Sequence, residues 1–103
     1  MTKFRAIRTE VDGITFASRK EARRYSELKL LERAKQISGL ELQPVYRLEV
    51  NGALICKYLP DFRYIQDGKL VVEDVKSDPT KTPVYRIKKK LLAALFGIEV
   101  KEV

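Results

Sequence analysis

With 103 residues, of which 45% are hydrophobic, the chain is long enough for one core and too short for a second domain. Lys and Arg outnumber Asp and Glu by 21 to 14, and the net charge of +7 favours anionic partners such as nucleic acid or an anionic membrane. A single cysteine, Cys56, and the lack of histidine exclude disulfides, structural zinc sites and Cys/His catalysis. Any metal site would therefore use carboxylates, which prefer Mg²⁺ or Mn²⁺.

The first part of the chain predicts an N-terminal arm or short hairpin over residues 1–16, with a turn at Asp12-Gly13. Helical periodicity begins at Ser18, and Gly39 is the predicted stop. No apolar run approaches the roughly 20 residues of a membrane span, and the first residues lack the apolar stretch of a signal peptide. We therefore expect a soluble, cytoplasmic protein without a membrane partner.

Three strand-like segments follow and predict an antiparallel meander. Two-residue hairpin turns at Asn51-Gly52 and Asp67-Gly68 separate them. The segments cover residues 41–50, 53–65 and 69–77.

A second helix is predicted from Thr82, which can cap it, and Pro83, which suits its first position. Gly97 ends this helix, and residues 98–103 return as a strand that should lie parallel to the third segment through a right-handed crossover. The predicted buried stripe of the helix consists of Val84, Ile87, Leu91, Leu92 and Leu95. The fold class is therefore α/β, a single domain with a mixed α+β sheet in the order α-β-β-β-α-β.

Acidic residues interrupt the third strand segment where it approaches a polar loop. Asp74 and Lys76 share one face of the strand, because alternate residues point the same way, and Glu73 lies on the other face. Pairing about Asp67-Gly68 places Asp61 opposite Asp74 or one position away. Two carboxylates at close range repel unless a cation lies between them, so this cluster indicates a metal site.

Phosphodiester hydrolysis would use such a cation to activate water and to polarise the phosphate, with Lys76 orienting the water and stabilising the developing charge. The alternative is that Asp61, Glu73, Asp74 and Lys76 form ordinary cross-strand ion pairs on a solvated surface. Acidic residues are depleted in strands, and their position at a strand end favours the functional interpretation.

Pro60-Asp61, a twelve-residue gap and Asp74-Val75-Lys76 resemble the PD-(D/E)XK motif of the restriction-endonuclease-like nucleases, whose core shares the predicted element order. More closely, the stretch from Asp12 to Ala22 and the phrase Tyr58-Leu59-Pro60-Asp61-Phe62 resemble a family of small phage and prophage proteins in that superfamily.

The resemblance implies a Mg²⁺- or Mn²⁺-dependent endodeoxyribonuclease that is structure-selective on branched phage DNA, like a Holliday junction resolvase, in the cytoplasm of a bacterial host. It implies that Asp61, Asp74 and the backbone carbonyl of Val75 are metal ligands. It also implies a ligand or neighbouring role for Glu21 of the first helix. Ser18 and Glu21 equally match a capping box, in which each satisfies a backbone donor of the other, and both roles fit one helix start.

Basic residues in both helices are candidates for contacts to DNA phosphates, with salt-sensitive binding. The alternative for each is a solvated helix face or, for Lys88, a stem lying over the core. Gln43, at the head of the first strand, matches a polar position that the resemblance places near the scissile phosphate, and the alternative is a structural role at the strand entry. The full predicted set is Arg19, Lys20, Arg23, Arg24, Gln43, Lys88 and Lys89. Cutting two strands would suit a homodimer, and a non-catalytic nucleic-acid-binding module with the same fold is the alternative function.

Overall fold

The computed structural model describes residues 7–103. Strands β1 (Thr9–Val11) and β2 (Ile14–Phe16) pair antiparallel around Asp12 and Gly13. Both turn residues have positive φ, 53° and 75°, as a tight hairpin turn requires. Of the predicted arm or short hairpin, the described residues form the hairpin, and the part of that prediction on residues 1–6 lies outside the described residues.

Helix α1 (Arg19–Arg33) begins where the sequence predicts but ends earlier. The Ser18 hydroxyl caps it by accepting a hydrogen bond from the Glu21 amide at 3.1 Å. The chain leaves the helix through Lys35, whose φ of 61° is left-handed, so the predicted stop at Gly39 is wrong and Gly39 lies in the next strand.

The meander is present, but its first two strands are each broken in two. Residues 41–50 fall into β3 (Ser38–Leu42) and β4 (Tyr46–Val50), and residues 53–65 fall into β5 (Ala53–Tyr58) and β6 (Phe62–Gln66). Leu42 pairs with Phe62 and Tyr46 with Tyr58, which places Pro44 opposite Pro60. Neither proline has an amide to donate, so the ladder opens there.

Strand β7 (Lys69–Asp74) pairs antiparallel with β6, and β8 (Lys101–Glu102) pairs with β7 in parallel, as predicted. The order β3-β6-β7-β8 makes a mixed four-stranded sheet, and β4-β5 forms a separate hairpin. A short 3-10 helix (Asp78–Thr80) and helix α2 (Pro83–Phe96) connect β7 to β8. The predicted α/β class with a mixed sheet is therefore confirmed.

The two helices serve two hydrophobic cores. Ala22, Tyr25 and Leu28 of α1 pack with Phe62 and Tyr64 of β6. Tyr85 and Leu92 of α2 pack with side chains from β4, β5 and β7, namely Tyr46, Leu48, Tyr58 and Val72. Because Val71 joins the first core and Val72 the second, the helices cover opposite faces of β7.

The predicted buried stripe of α2 is largely wrong. Val84 and Ile87 are 61% and 58% exposed, and Leu95 is also exposed, whereas Leu92 is buried. Tyr85 takes the buried position instead, since its hydroxyl finds a partner in Glu102 at 2.7 Å while its ring packs in the core.

Candidate active site

Asp61 and Asp74 lie opposite each other at the point where the long hairpin opens. Phe62 pairs with Glu73, and the same register carried one step further places Asp61 across from Asp74, as predicted. Asp61 directly follows Pro60, so it stands at the end of the interrupted ladder. The Val75 amide donates a hydrogen bond to Asp61 Oδ2 at 2.8 Å.

Asp74 is almost completely buried, with 3% of its surface exposed. The Tyr58 hydroxyl donates a hydrogen bond to Asp74 Oδ2 at 2.6 Å, and Lys76 Nζ lies 3.9 Å from the same oxygen. Tyr58 and Lys76 therefore hold the Oδ2 side of the Asp74 carboxylate, and this also fixes the direction in which Oδ1 points.

Burial raises the pKa of Asp61 to about 8, and the hydrogen bond and the charge of Asp74 add to this effect. The Val75 amide opposes it, because it stabilises the carboxylate. At neutral pH Asp61 would therefore hold a proton beside Asp74. A divalent cation could replace that proton, since it also neutralises the repulsion.

Lys76 lies beside the carboxylates with its side chain 20% exposed. Its Nζ sits 4.4 Å from the centre of the Tyr85 ring, a cation–π distance that limits its movement. Its amide donates to the Val103 carbonyl at 3.1 Å, and the Val103 amide donates to the Asp74 carbonyl at 3.0 Å. An ammonium is thus held within reach of any group bound at Asp74.

The peptide groups around Val75 alternate in direction. Those of Asp74 and Lys76 point to the C-terminal strand, whereas the Val75 amide points to Asp61. Val75 directly follows Asp74, the last residue of β7. Its carbonyl is the backbone ligand that the sequence resemblance implies, and that role stays a prediction.

Glu21 lies near this pair at the start of α1. Its pKa is raised, first by burial and then by the charge of Asp74, while Lys76 and the Ala17 amide lower it. The Glu21 amide serves the Ser18 cap, and its carboxylate is close enough to Asp74 and Lys76 to feel both charges. The Ser18 half of the predicted capping box is therefore present, and the ligand role of Glu21 stays a prediction.

In residues 7–103, no three Asp, Glu, Cys or His side chains are arranged to hold a metal ion. Asp61 and Asp74 together with a backbone carbonyl remain a reasonable donor set for Mg²⁺, which is commonly bound by one or two carboxylates and keeps several waters. The chemistry of these donors fits a hard cation, with Glu21 outside the immediate group.

Glu73 lies on the opposite face of β7, as predicted, and is completely buried. It accepts hydrogen bonds from Arg24 Nε at 2.8 Å, from Arg24 Nη2 at 2.6 Å, and from the Tyr64 hydroxyl. Burial alone would raise the pKa of Glu73, but the hydrogen bonds from Arg24 and Tyr64 outweigh it and lower the pKa. Arg24, predicted to contact nucleic acid, is instead occupied in joining α1 to β7.

The other predicted nucleic-acid contacts are dispersed. Lys20 Nζ donates to the Lys76 carbonyl at 2.7 Å, next to the carboxylates. Lys89 pairs with Glu102 at 3.3 Å on the far side of Tyr85. Arg19 and Arg23 are exposed on α1, and Lys88 is partly buried on α2.

Gln43 is exposed, and its amide donates to the Asp61 carbonyl at 3.0 Å. It therefore lies at the site, as predicted. A larger cleft of about 880 Å³ runs beside α2, but it reaches the carboxylate region only through Tyr85. Its lysines Lys81 and Lys89 are already paired with Glu102, at 3.2 and 3.3 Å.

Tyr58 and Tyr85 are the site residues that sequence reasoning missed. Both were visible as aromatic residues, but the sequence does not fix which face of an element they occupy. A signal existed for Tyr58, which lies two residues before Pro60 and hence just before the break in the ladder.

These features define a small α+β domain with a carboxylate pair at a strand break, of which Asp74 is buried and Asp61 half-buried. A protein-family model described as a protein of unknown function (DUF1064) matches residues 1–102, so the chain belongs to that family. No curated protein and no solved structure matches the chain. Neither helix in residues 7–103 has the length and apolar character needed to cross a membrane.

Proposed function

We propose that this protein is a Mg²⁺- or Mn²⁺-dependent endodeoxyribonuclease of the PD-(D/E)XK type that hydrolyses DNA phosphodiester bonds. The observation that supports this most strongly is the opposition of the half-buried Asp61 and the buried Asp74, with Lys76 beside them. Placing two carboxylates together away from water destabilises a fold. A bound cation would neutralise the repulsion between them.

Asp61, Asp74 and the Val75 carbonyl would hold the cation, which when bound supplies a Lewis acid and a more acidic water. Tyr58 would keep Asp74 oriented through its 2.6 Å hydrogen bond. Lys76 would orient the attacking water and stabilise charge on the phosphate, since Tyr85 holds its ammonium near Asp74.

DNA would approach through basic residues around this site. The net charge of +7 favours a polyanion, and Lys20 lies next to the carboxylates, with Arg19 and Arg23 exposed on the same helix. A contact from Lys88, which is partly buried on α2, would add to them. A preference for branched phage DNA, a bacterial cytoplasmic location and a homodimer that cuts two strands are further parts of the proposal, drawn from the sequence resemblance.

The test is a nicking assay on supercoiled plasmid with purified protein. We expect relaxation of the plasmid with Mn²⁺ or Mg²⁺, none with EDTA, and loss of cutting with retained DNA binding in Asp74→Ala. Asp67→Asn is the control, since Asp67 is an exposed turn residue and Asn suits its positive φ of 52°. Undiminished cutting by Asp74→Ala would refute the proposal.

The alternative, a non-catalytic nucleic-acid-binding module, is supported by one observation. Asp61 with its pKa of about 8 can keep a proton and satisfy Asp74 without a metal. Such a module would bind DNA in a salt-sensitive manner that is indifferent to divalent metal. Calorimetric titration with Mn²⁺ distinguishes the two functions, because only the nuclease should bind the ion.

A further inference from the structure

A small cavity adjoins the carboxylate pair, on the side of the N-terminal hairpin. It has a volume of about 160 Å³, and Asp61 and Glu21 form the side nearest the candidate active site. Ile14, Phe16 and Leu42 give it an apolar side. A molecule bound at Asp61 could therefore extend into the cavity, which is partly lined by apolar side chains.

Two polar side chains complete the cavity, Thr15 on β2 and Gln43 after β3. Both are exposed, so they lie at its rim. Gln43 has a φ of 47°, a left-handed conformation that residues other than glycine seldom adopt. Strain of this kind persists where the surroundings enforce it and is frequent at binding sites. Here the hydrogen bond from the backbone N–H of Gln43 to the Asp61 carbonyl holds Gln43 in this conformation.

The size and lining of the cavity limit what it can bind. Liquid water takes ~30 Å³ per molecule, so the space equals about five waters and suits a single heterocyclic ring system. A phosphate would be repelled by Asp61 and Glu21, and a hydrated cation would gain nothing from Phe16 and Leu42. A neutral, flat ring with polar edges matches both the apolar side and the amide and hydroxyl at the rim.

We propose that this cavity binds one unpaired nucleobase of the DNA strand whose adjacent phosphate lies at Asp61 and Asp74. The inference rests on the proposed nuclease function and adds a substrate class to it. Taking a base out of a duplex is unfavourable, and it is least unfavourable where the base is already unpaired. DNA with unpaired nucleotides beside the cut is therefore the preferred substrate.

The experiment compares cleavage rates with Mn²⁺, at excess protein, on three labelled duplexes of one sequence. The first is fully paired, the second carries one bulged nucleotide, and the third carries the same bulge without its base. We expect the second to be cut about tenfold faster than the third, since contacts to one base contribute on this order. The position of the cuts should lie next to the bulge.

Two variants with equivalent changes provide the control. Gln43→Gly removes the rim amide and suits the positive φ, and it should reduce the tenfold ratio to about one or two. Asn51→Gly also removes an amide side chain at a positive φ of 51°, at the tip of the β4-β5 hairpin, and it should leave the ratio unchanged.

Equal rates on the bulge with and without its base, from a protein that cuts, would overturn the base-binding inference and leave the nuclease standing. A ratio that falls equally in both variants would also overturn it. If the wild-type protein cuts none of the three duplexes with Mn²⁺, the proposed nuclease function itself fails, and the inference fails with it.

Discussion

Replacing Asp61 by Asn should stabilise the metal-free protein, by an amount that grows with pH. Burial and the neighbouring Asp74 raise the pKa of Asp61 to about 8, whereas an Asp carboxyl in an unfolded chain titrates at ~3.9. A group with a raised folded pKa contributes stability that is complete below its unfolded pKa and is lost as the pH rises through the folded pKa. The wild-type free energy of unfolding should therefore fall from about pH 4 to about pH 8.

Asn keeps the shape of Asp, can accept the hydrogen bond from the Val75 amide, and offers Asp74 an N–H donor in place of the Asp61 proton. One pKa unit corresponds to ~1.4 kcal/mol, and water that reaches the partly exposed Asp61 screens much of the repulsion. We expect Asp61→Asn to raise the free energy of unfolding by ~2 kcal/mol at pH 8 and by less than ~1 kcal/mol at pH 5. A gain of ~2 kcal/mol corresponds to roughly 10 °C in Tm for a domain of this size.

The assay is thermal unfolding followed by circular dichroism at pH 5, 6.5 and 8, in EDTA. Asp67→Asn makes the same chemical change in an exposed turn and should shift Tm little at any pH. With Mn²⁺ in place of EDTA the order should reverse, because the wild-type protein gains a ligand for the ion. A Tm difference between Asp61→Asn and wild type that does not increase with pH would refute the close carboxylate pair.

Two further substitutions test the contacts around the site. Glu73→Ala should lower the free energy of unfolding by about 3–5 kcal/mol, measured by guanidinium unfolding, because it leaves the Arg24 guanidinium without its buried partner. Tyr58→Phe should reduce Mn²⁺-dependent cleavage about tenfold and stability by ~2 kcal/mol, since the buried Asp74 loses a donor. Tyr25→Phe is its control, for it removes a Tyr–Asp hydrogen bond of 2.9 Å between α1 and the turn of the N-terminal hairpin, and it should leave the cleavage rate unchanged.

A loss below ~1 kcal/mol for Glu73→Ala would show that the ion pair is not buried as described. Equal cleavage rates for Tyr58→Phe and wild type would show that the Tyr58 hydroxyl does not orient Asp74. Because Tyr58→Phe and Tyr25→Phe remove the same atom, a matching fall in both would point to stability rather than to the site.

The sequence was most informative where local chemistry determines structure. Asp67-Gly68 specifies a tight turn, and the strand period of two then fixes which residues meet, so the opposition of Asp61 and Asp74 was predictable. The same reasoning placed Glu73 on the other face. The complete burial of Glu73 was not predictable, because it depends on a hydrogen bond from Arg24, which lies on a helix distant in the sequence.

Long-range packing decided what the sequence did not. Pro44 and Pro60 were visible, but their alignment across the hairpin follows only from the register, and it is this alignment that opens the sheet. On α2 the apolar pattern favoured a face with Val84 and Ile87, whereas the structure buries Tyr85. Tyr85 can be buried because its hydroxyl donates a hydrogen bond to Glu102.

Calorimetric titration of Mn²⁺ into the purified protein tests most directly whether Asp61 and Asp74 form a metal site. The expected result is one saturable site per chain at pH 8, weaker binding at pH 6 because Asp61 must first lose its proton, and no binding by Asp74→Asn. Asp67→Asn should bind as the wild type does. Absence of Mn²⁺ binding by the wild-type protein, or equal binding by Asp74→Asn, would contradict the proposed metal-dependent mechanism.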